Sequence, residues 1–196
     1  MKIFTFLLFS FLLISCESKN DENYPLKSED GFFHAVVEIP AGTNKKYEFN
    51  PESISYEIDQ RDGKDRVIRY LPYFGNYGFI PSTLSNKAKG GDGDPLDIIV
   101  ICESLSQSTI LPIIPLGTVK LMDQGEMDYK IIAVPADPDL DVLKVKTFGE
   151  FKSKYPSIVQ IIEIWLTNYD SDSLVIEGWL DEKQTETYIM ENILAN

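Results

Sequence analysis

From residue 33 onward the chain alternates apolar and polar positions in short runs. Phe33 to Ile39 and Lys46 to Phe49 read as short strands, and Ile54-Ser55-Tyr56-Glu57-Ile58 alternates cleanly, as strands do when successive side chains face opposite ways. Similar runs predict strands over Arg66 to Tyr70, Ile98 to Ile101, Thr118 to Met122, Tyr129 to Val134 and Leu174 to Trp179. Helical periodicity comes late. Ser157 with Gln160 has the form of a capping box, and Ile158, Ile161, Ile162, Trp165, Leu166 and Tyr169 then share one helical face. Asp181 with Gln184 repeats the device ahead of Tyr188, Ile189, Ile193 and Leu194. Short strands with two late helices predict a mainly β, α+β domain, a small barrel with two helices packed outside.

The first fifteen residues follow another pattern. Lys2 precedes an almost wholly apolar stretch from Ile3 to Ile14, too short to span a bilayer but suited to a signal sequence. Ser15 directly before Cys16 is the pattern of a bacterial lipoprotein signal, whose cysteine is lipidated and becomes the new N-terminus. The reading is residues 1–15 as signal peptide, 16–30 as a polar, flexible tether, and 31–196 as one domain on a membrane of the bacterial cell envelope. Cys102, expected inside the strand that follows Ile98, would then be the remaining thiol and reads as a small buried hydrophobe. His34 has no second histidine beside it and reads as structural.

The chain carries 18 Lys and Arg against 31 Asp and Glu, a formal charge of −13. Such a balance excludes nucleic acid, which needs a basic face. The acids are also patterned. Gly90-Gly91-Asp92-Gly93-Asp94-Pro95-Leu96-Asp97 feeds straight into Ile98-Ile99-Val100-Ile101, so three carboxylates sit where a glycine-rich loop enters rigid structure. Two carboxylates about 5 Å apart repel by roughly 3 kcal/mol at an effective dielectric near 20. A hard divalent cation relieves that repulsion, and oxygen-only ligands suit magnesium, manganese or calcium. A second acidic group, Asp123 and Asp128, flanks a turn, with Lys130 on the returning strand. Bound divalent ions would also let an acidic protein accept a polyanion. A calcium module is disfavoured, because Pro95 follows the acids where such a loop needs other spacing.

The ordered blocks Glu38-Ile39-Pro40, Lys46-Tyr47-Glu48, Arg66, Asn76-Tyr77-Gly78, Gly91 to Asp97, Asp123 to Lys130 and Glu177-Gly178-Trp179 closely resemble the soluble family I inorganic pyrophosphatases. The resemblance implies a five-stranded, OB-like barrel and magnesium-dependent hydrolysis of pyrophosphate to two orthophosphates by a metal-activated water. It implies that Asp92, Asp97 and Asp128 hold two metals, that Asp123, Glu48 and Glu38 bind further magnesium or order its waters, and that Asp94 is the general base. It assigns Lys46, Arg66, Tyr77, Lys130 and Tyr169 to phosphate oxygens, with Tyr73 lining the site. One departure stands out: the family has Tyr-Lys where this chain has Tyr169-Asp170, so an acid replaces a phosphate-clamping cation and weaker substrate binding is expected. Histidines used between subunits by some bacterial members are absent, which leaves a homo-oligomer open. A catalytically degenerate metal- or phosphate-binding protein of the same fold is the alternative.

Overall fold

The computed structural model describes residues 21–170 and 174–194. Its strands are β1 (Phe33–Ile39), β2 (Tyr47–Asn50), β3 (Ser55–Ile58), β4 (Gln60–Arg61), β5 (Lys64–Asp65), β6 (Asn76–Ile80), β7 (Leu96–Val100), β8 (Ile110–Asp123), β9 (Glu126–Met127), β10 (Lys130–Pro135) and β11 (Leu174–Leu180). The helices α1 (Phe148–Lys154) and α2 (Pro156–Leu166) precede β11, and α3 (Glu182–Glu191) follows it.

Five strands close a ring in the order β1, β6, β7, β10, β8 and back to β1. The closure depends on β8, whose 14 residues pair first with β1 and then with β10 and β11. Pro115 lacks the N–H a regular ladder requires, and the β8–β10 register slips beside it, between Ile132 and Ala133. Strands β1, β6, β7 and β10 are buried nearly throughout, so their sequences read as apolar runs more than as alternation. Strand β6, buried on both faces, therefore carries no alternation to mark it in the sequence. The close β1–β6 approach also needs Gly78, where a Cβ would lie 1.8 Å from the Val36 carbonyl oxygen.

The barrel and the fold class are as the sequence predicts; several local expectations are not. Arg66 to Tyr70 is not a strand, because its backbone bonds are divided between Lys46, Asp59 and Asn44 and build no ladder. Helix α2 begins at Pro156 with Tyr155 as its N-cap, so Ser157 lies inside the first turn and caps nothing. Its buried face is Val159, Ile162, Trp165 and Leu166, while Ile161 is exposed. A third helix, α1, is capped by Thr147 accepting from the Glu150 amide, whereas the Asp181–Gln184 capping box of α3 forms as expected. Cys102 lies beyond the end of β7 and is only half-buried.

Residues 21–30 do not hang from the domain as a tether. Asp21 accepts from Tyr56 Oη at 2.6 Å, Leu26 packs against the core, and the buried His34 ring bonds Pro25 O at 2.7 Å. Apolar contact and a buried carboxylate hold this segment to the barrel. The signal segment and Cys16 lie outside the described residues.

Candidate active site

At one end of the ring a cleft of about 270 Å³ collects charged side chains from elements far apart in sequence. The loop before β7 supplies Asp92 and Asp94. It is held by two bonds with Ser85, from Gly93 N to its carbonyl and from its own amide to Asp94 O, both 2.7 Å. Gly91 permits this, since a Cβ there would meet Ser85 Oγ at 2.2 Å. Asp92 Oδ1 accepts from the Asp94 amide at 3.0 Å, an Asx turn that fixes the carboxylate's direction. The loop is also stitched to the β8–β9 hairpin, because Met127 N donates to Gly90 O at 2.8 Å. Asp128, the next residue, is thereby carried to the same place.

Asp97 lies within β7 itself, and Lys130 opens the parallel neighbour β10. Each of Asp92, Asp97 and Asp128 offers an oxygen within 4.8 Å of the others. Lys130, 3% exposed, donates to Asp97 and Asp128 and to Tyr77 Oη at 3.1 Å. Burial alone would lower the ammonium's pKa, but Asp128 and Asp97 outweigh it and keep the group charged. Burial pushes Asp97 up to about 6; Lys130 pulls it down and Asp128 raises it again. Burial, then Asp92 and Glu48, raises Asp94. Three hard oxygen donors already within mutual reach fit a divalent cation, and a lysine cannot satisfy them all.

Glu38 enters the cleft by a backbone irregularity. Val37 pairs with Gly78 and Ile39 with Tyr77, so Glu38 is the extra residue of a bulge. Its carbonyl takes Gln107 Nε2 at 2.7 Å and its carboxylate takes the Phe49 amide at 2.7 Å. Burial pushes this carboxyl up to about 8, against the lowering effect of the Phe49 bond.

The opposite wall carries the cations. Backbone bonds run from Lys46 N to Arg66 O, from Asp59 N to Lys46 O and from Arg66 N to Asp59 O, aligning three segments. The Asp59 carboxylate then takes Arg66 at 2.7 Å and Lys46 at 3.5 Å. Although burial acts to raise it, Arg66 and Lys46 hold Asp59 below the usual carboxylate range. Lys46 also reaches Glu48 Oε1 at 2.5 Å, as their shared strand face predicts. Tyr169 stacks on Trp165 at 4.5 Å and 7°, and burial pushes its hydroxyl up to about 12.

Of the sequence-assigned residues, Glu38, Lys46, Glu48, Arg66, Tyr77, Asp92, Asp94, Asp97, Asp123, Asp128, Lys130 and Tyr169 all line the cleft. Tyr73 does not. It is 3% exposed, with its ring packed on Tyr77 and Trp165, so it backs the wall. Asp170 is the larger correction: it does not confront the cleft as an unopposed negative charge but ion-pairs with Arg66 and, at 3.0 Å, with Arg61. The sequence reading missed Arg61, Asp59, Glu22 and Glu126. Asp62-Gly63, a strong hairpin signal, marks the turn that presents Arg61 from β4.

Comparison with known proteins gives one family. Its model, described as inorganic pyrophosphatase, matches residues 35–195. An inorganic pyrophosphatase of Neisseria meningitidis is 31% identical over 170 residues, covering 84% of this chain and 89% of its own. A solved inorganic pyrophosphatase from Neisseria gonorrhoeae superposes with a TM-score of 0.71 at 28% identity, over 88% of this chain and 97% of that one. The type I enzyme of Plasmodium falciparum gives 0.76 at 26% identity, but the match covers 86% of this chain and only 59% of that longer one.

The Glu38 environment has a pH signature. Between about 4.5 and 8 the folded metal-free protein holds a proton that the unfolded chain has released, so stability falls as pH rises through that window. Glu38→Gln keeps an acceptor for Phe49 N and removes the ionisation. In chelator it should match wild type near pH 4.5 and exceed it at pH 8–9 by roughly 2–4 kcal/mol in urea denaturation. Parallel stability curves for the two proteins would contradict the assignment.

Proposed function

The chain belongs to the inorganic pyrophosphatase family, and from that premise we propose that the cleft hydrolyses magnesium pyrophosphate, with Asp94 as base, on a domain anchored to a bacterial envelope membrane. Hydrolysis of pyrophosphate to two orthophosphates is the family's reaction, and no described residue favours a degenerate site. The observation that carries the mechanism is one cleft that holds Asp92, Asp97 and Asp128, with Lys130 bonded among them, together with Lys46, Arg66 and Tyr169.

Asp92, Asp97 and Asp128 would hold the divalent cations, with Asp123, Glu48 and Glu38 near enough in the cleft to bind or order others. Such ions, when bound, neutralise the acids, admit a polyanion and make water acidic enough to attack phosphorus near neutral pH. Magnesium fits best among biological hard cations because it is held by one or two carboxylates plus substrate phosphate oxygens. Asp94, beside Asp92 and with its pKa raised by burial, is poised to take the proton of the attacking water. Arg66 presents a planar fork to phosphate oxygens, Lys46 and Lys130 present point charges, and the hydroxyls of Tyr77 and Tyr169 donate. Asp59 keeps Lys46 and Arg66 at a fixed spacing before substrate arrives.

The anchor rests on sequence alone, on Ser15-Cys16 after the apolar stretch. Among the described residues no helix is long and apolar enough to cross a membrane. The outward Ile161 and Ile164 of α2 support a homo-oligomer through that helix.

With magnesium the domain should release two phosphates per pyrophosphate, and excess chelator should abolish release. Asp94→Asn should lower kcat by roughly 10²–10⁴-fold while leaving metal affinity largely intact. Turnover undiminished by chelator, or wild-type kcat in Asp94→Asn, would contradict the mechanism.

Cys16→Ser, expressed in bacteria, should move the protein from the membrane to the soluble fraction. Retention of that variant after salt washing would contradict lipid anchoring.

A further inference from the structure

Arg61 occupies a place that its exposure alone would not reveal. It sits on β4, in a hairpin whose two turn residues, Asp62 and Gly63, both have positive φ, at 55° and 71°. The hairpin is short and surface-exposed, yet Arg61 lines the cleft together with Arg66, Tyr169 and Lys130. It also lines an adjoining hollow with Arg66, Tyr169 and Asp170, so it stands on the wall between the two. Asp170, with its side chain only 12% exposed, takes Arg61 Nη1 at 3.0 Å on one oxygen and Arg66 Nη2 on the other. Arg66 is in turn held by Asp59 through its other terminal nitrogen at 2.7 Å. Two guanidinium groups are therefore fixed side by side by a single carboxylate, Asp170, at the wall between the cleft and the hollow.

A guanidinium carries five N–H donors in a rigid fork and can serve a carboxylate and phosphate oxygens together. Two like charges this close repel unless an anion lies between them, and Asp170 supplies that anion. We propose that Arg61 is a substrate-contacting cation for the terminal phosphoryl group of pyrophosphate, and that Asp170 is a positioning residue that sets Arg61 beside Arg66. The pair presents a double fork matched to a doubly charged phosphoryl terminus. The assignment rests on the pyrophosphatase reading and adds to it the residue that binds the far end of the substrate. A lysine at position 170 would place a third cation against two arginines and take away the carboxylate that organises them.

The test is steady-state kinetics at fixed free magnesium. Wild-type phosphate release from magnesium pyrophosphate comes first, and its absence would overturn the pyrophosphatase reading and this assignment with it. Given that activity, Arg61→Ala should raise KM about tenfold or more with kcat within about threefold, because the lost contact is charge-assisted and leaves the base Asp94 and the acidic cluster unaltered. Arg61→Lys should recover part of the loss. Asp170→Lys should raise KM when Arg61 is present and lower it when combined with Arg61→Ala, where the new lysine supplies the missing cation. Circular dichroism of each variant separates loss of fold from loss of contact, and the crossover in sign does not arise from simple destabilisation. A KM for Arg61→Ala within twofold of wild type, or a lower KM in the single Asp170→Lys variant, would overturn the assignment while leaving the pyrophosphatase reading intact.

Discussion

The buried ammonium of Lys130, held between Asp97 and Asp128, is the constraint around which the cleft is organised. Removing an ammonium from water costs several kcal/mol unless paired charges and hydrogen bonds return that energy. The parallel pairing of β7 with β10 provides the pairing, because matching Ile131 to Ile98 places Lys130 beside Asp97. Asp128 reaches the same ammonium from the loop between β9 and β10. The group is therefore kept charged by geometry that belongs to the barrel, and Tyr77 on β6 completes its shell. Any change in the β7–β10 register would move a carboxylate to the wrong face and leave the lysine buried without its partner.

The same logic of interleaved charge extends across the cleft. Asp59 separates Lys46 from Arg66, and Asp170 separates Arg66 from Arg61. Each carboxylate neutralises and spaces two cations, so the anion-binding wall is preorganised at little electrostatic cost. On the other wall the carboxylates face one another with Lys130 as partial compensation, which is the arrangement that divalent cations complete. A protein of charge −13 can thus bind a polyanion, because charge is sorted locally and not averaged over the surface.

Much of this was legible in the sequence. The loop from Gly91 to Asp97, the turn between Asp123 and Asp128 and the Lys46–Glu48 pairing are local features, fixed by spacing of two to seven residues and by the strand period. The barrel followed from short strands, but β6 did not, because a strand buried on both faces shows no alternation. The Glu38 bulge was invisible for a related reason: it is a property of how β1 meets β6. Arg61 and Asp170 are 109 residues apart, and their ion pair arises only when the β4–β5 hairpin folds against the end of α2. Read locally, Asp170 was a misplaced negative charge; in three dimensions it is the anion between two arginines.

The central claim is that Asp92, Asp97 and Asp128 form one divalent-cation site that Lys130 only partly neutralises. Manganese binding, followed by electron paramagnetic resonance at pH 7 without substrate, tests it most directly. Wild type should bind manganese saturably, and Asp97→Asn and Asp128→Asn should each weaken binding by about tenfold or more. No saturable binding to wild type, or unchanged binding in both variants, would contradict the account.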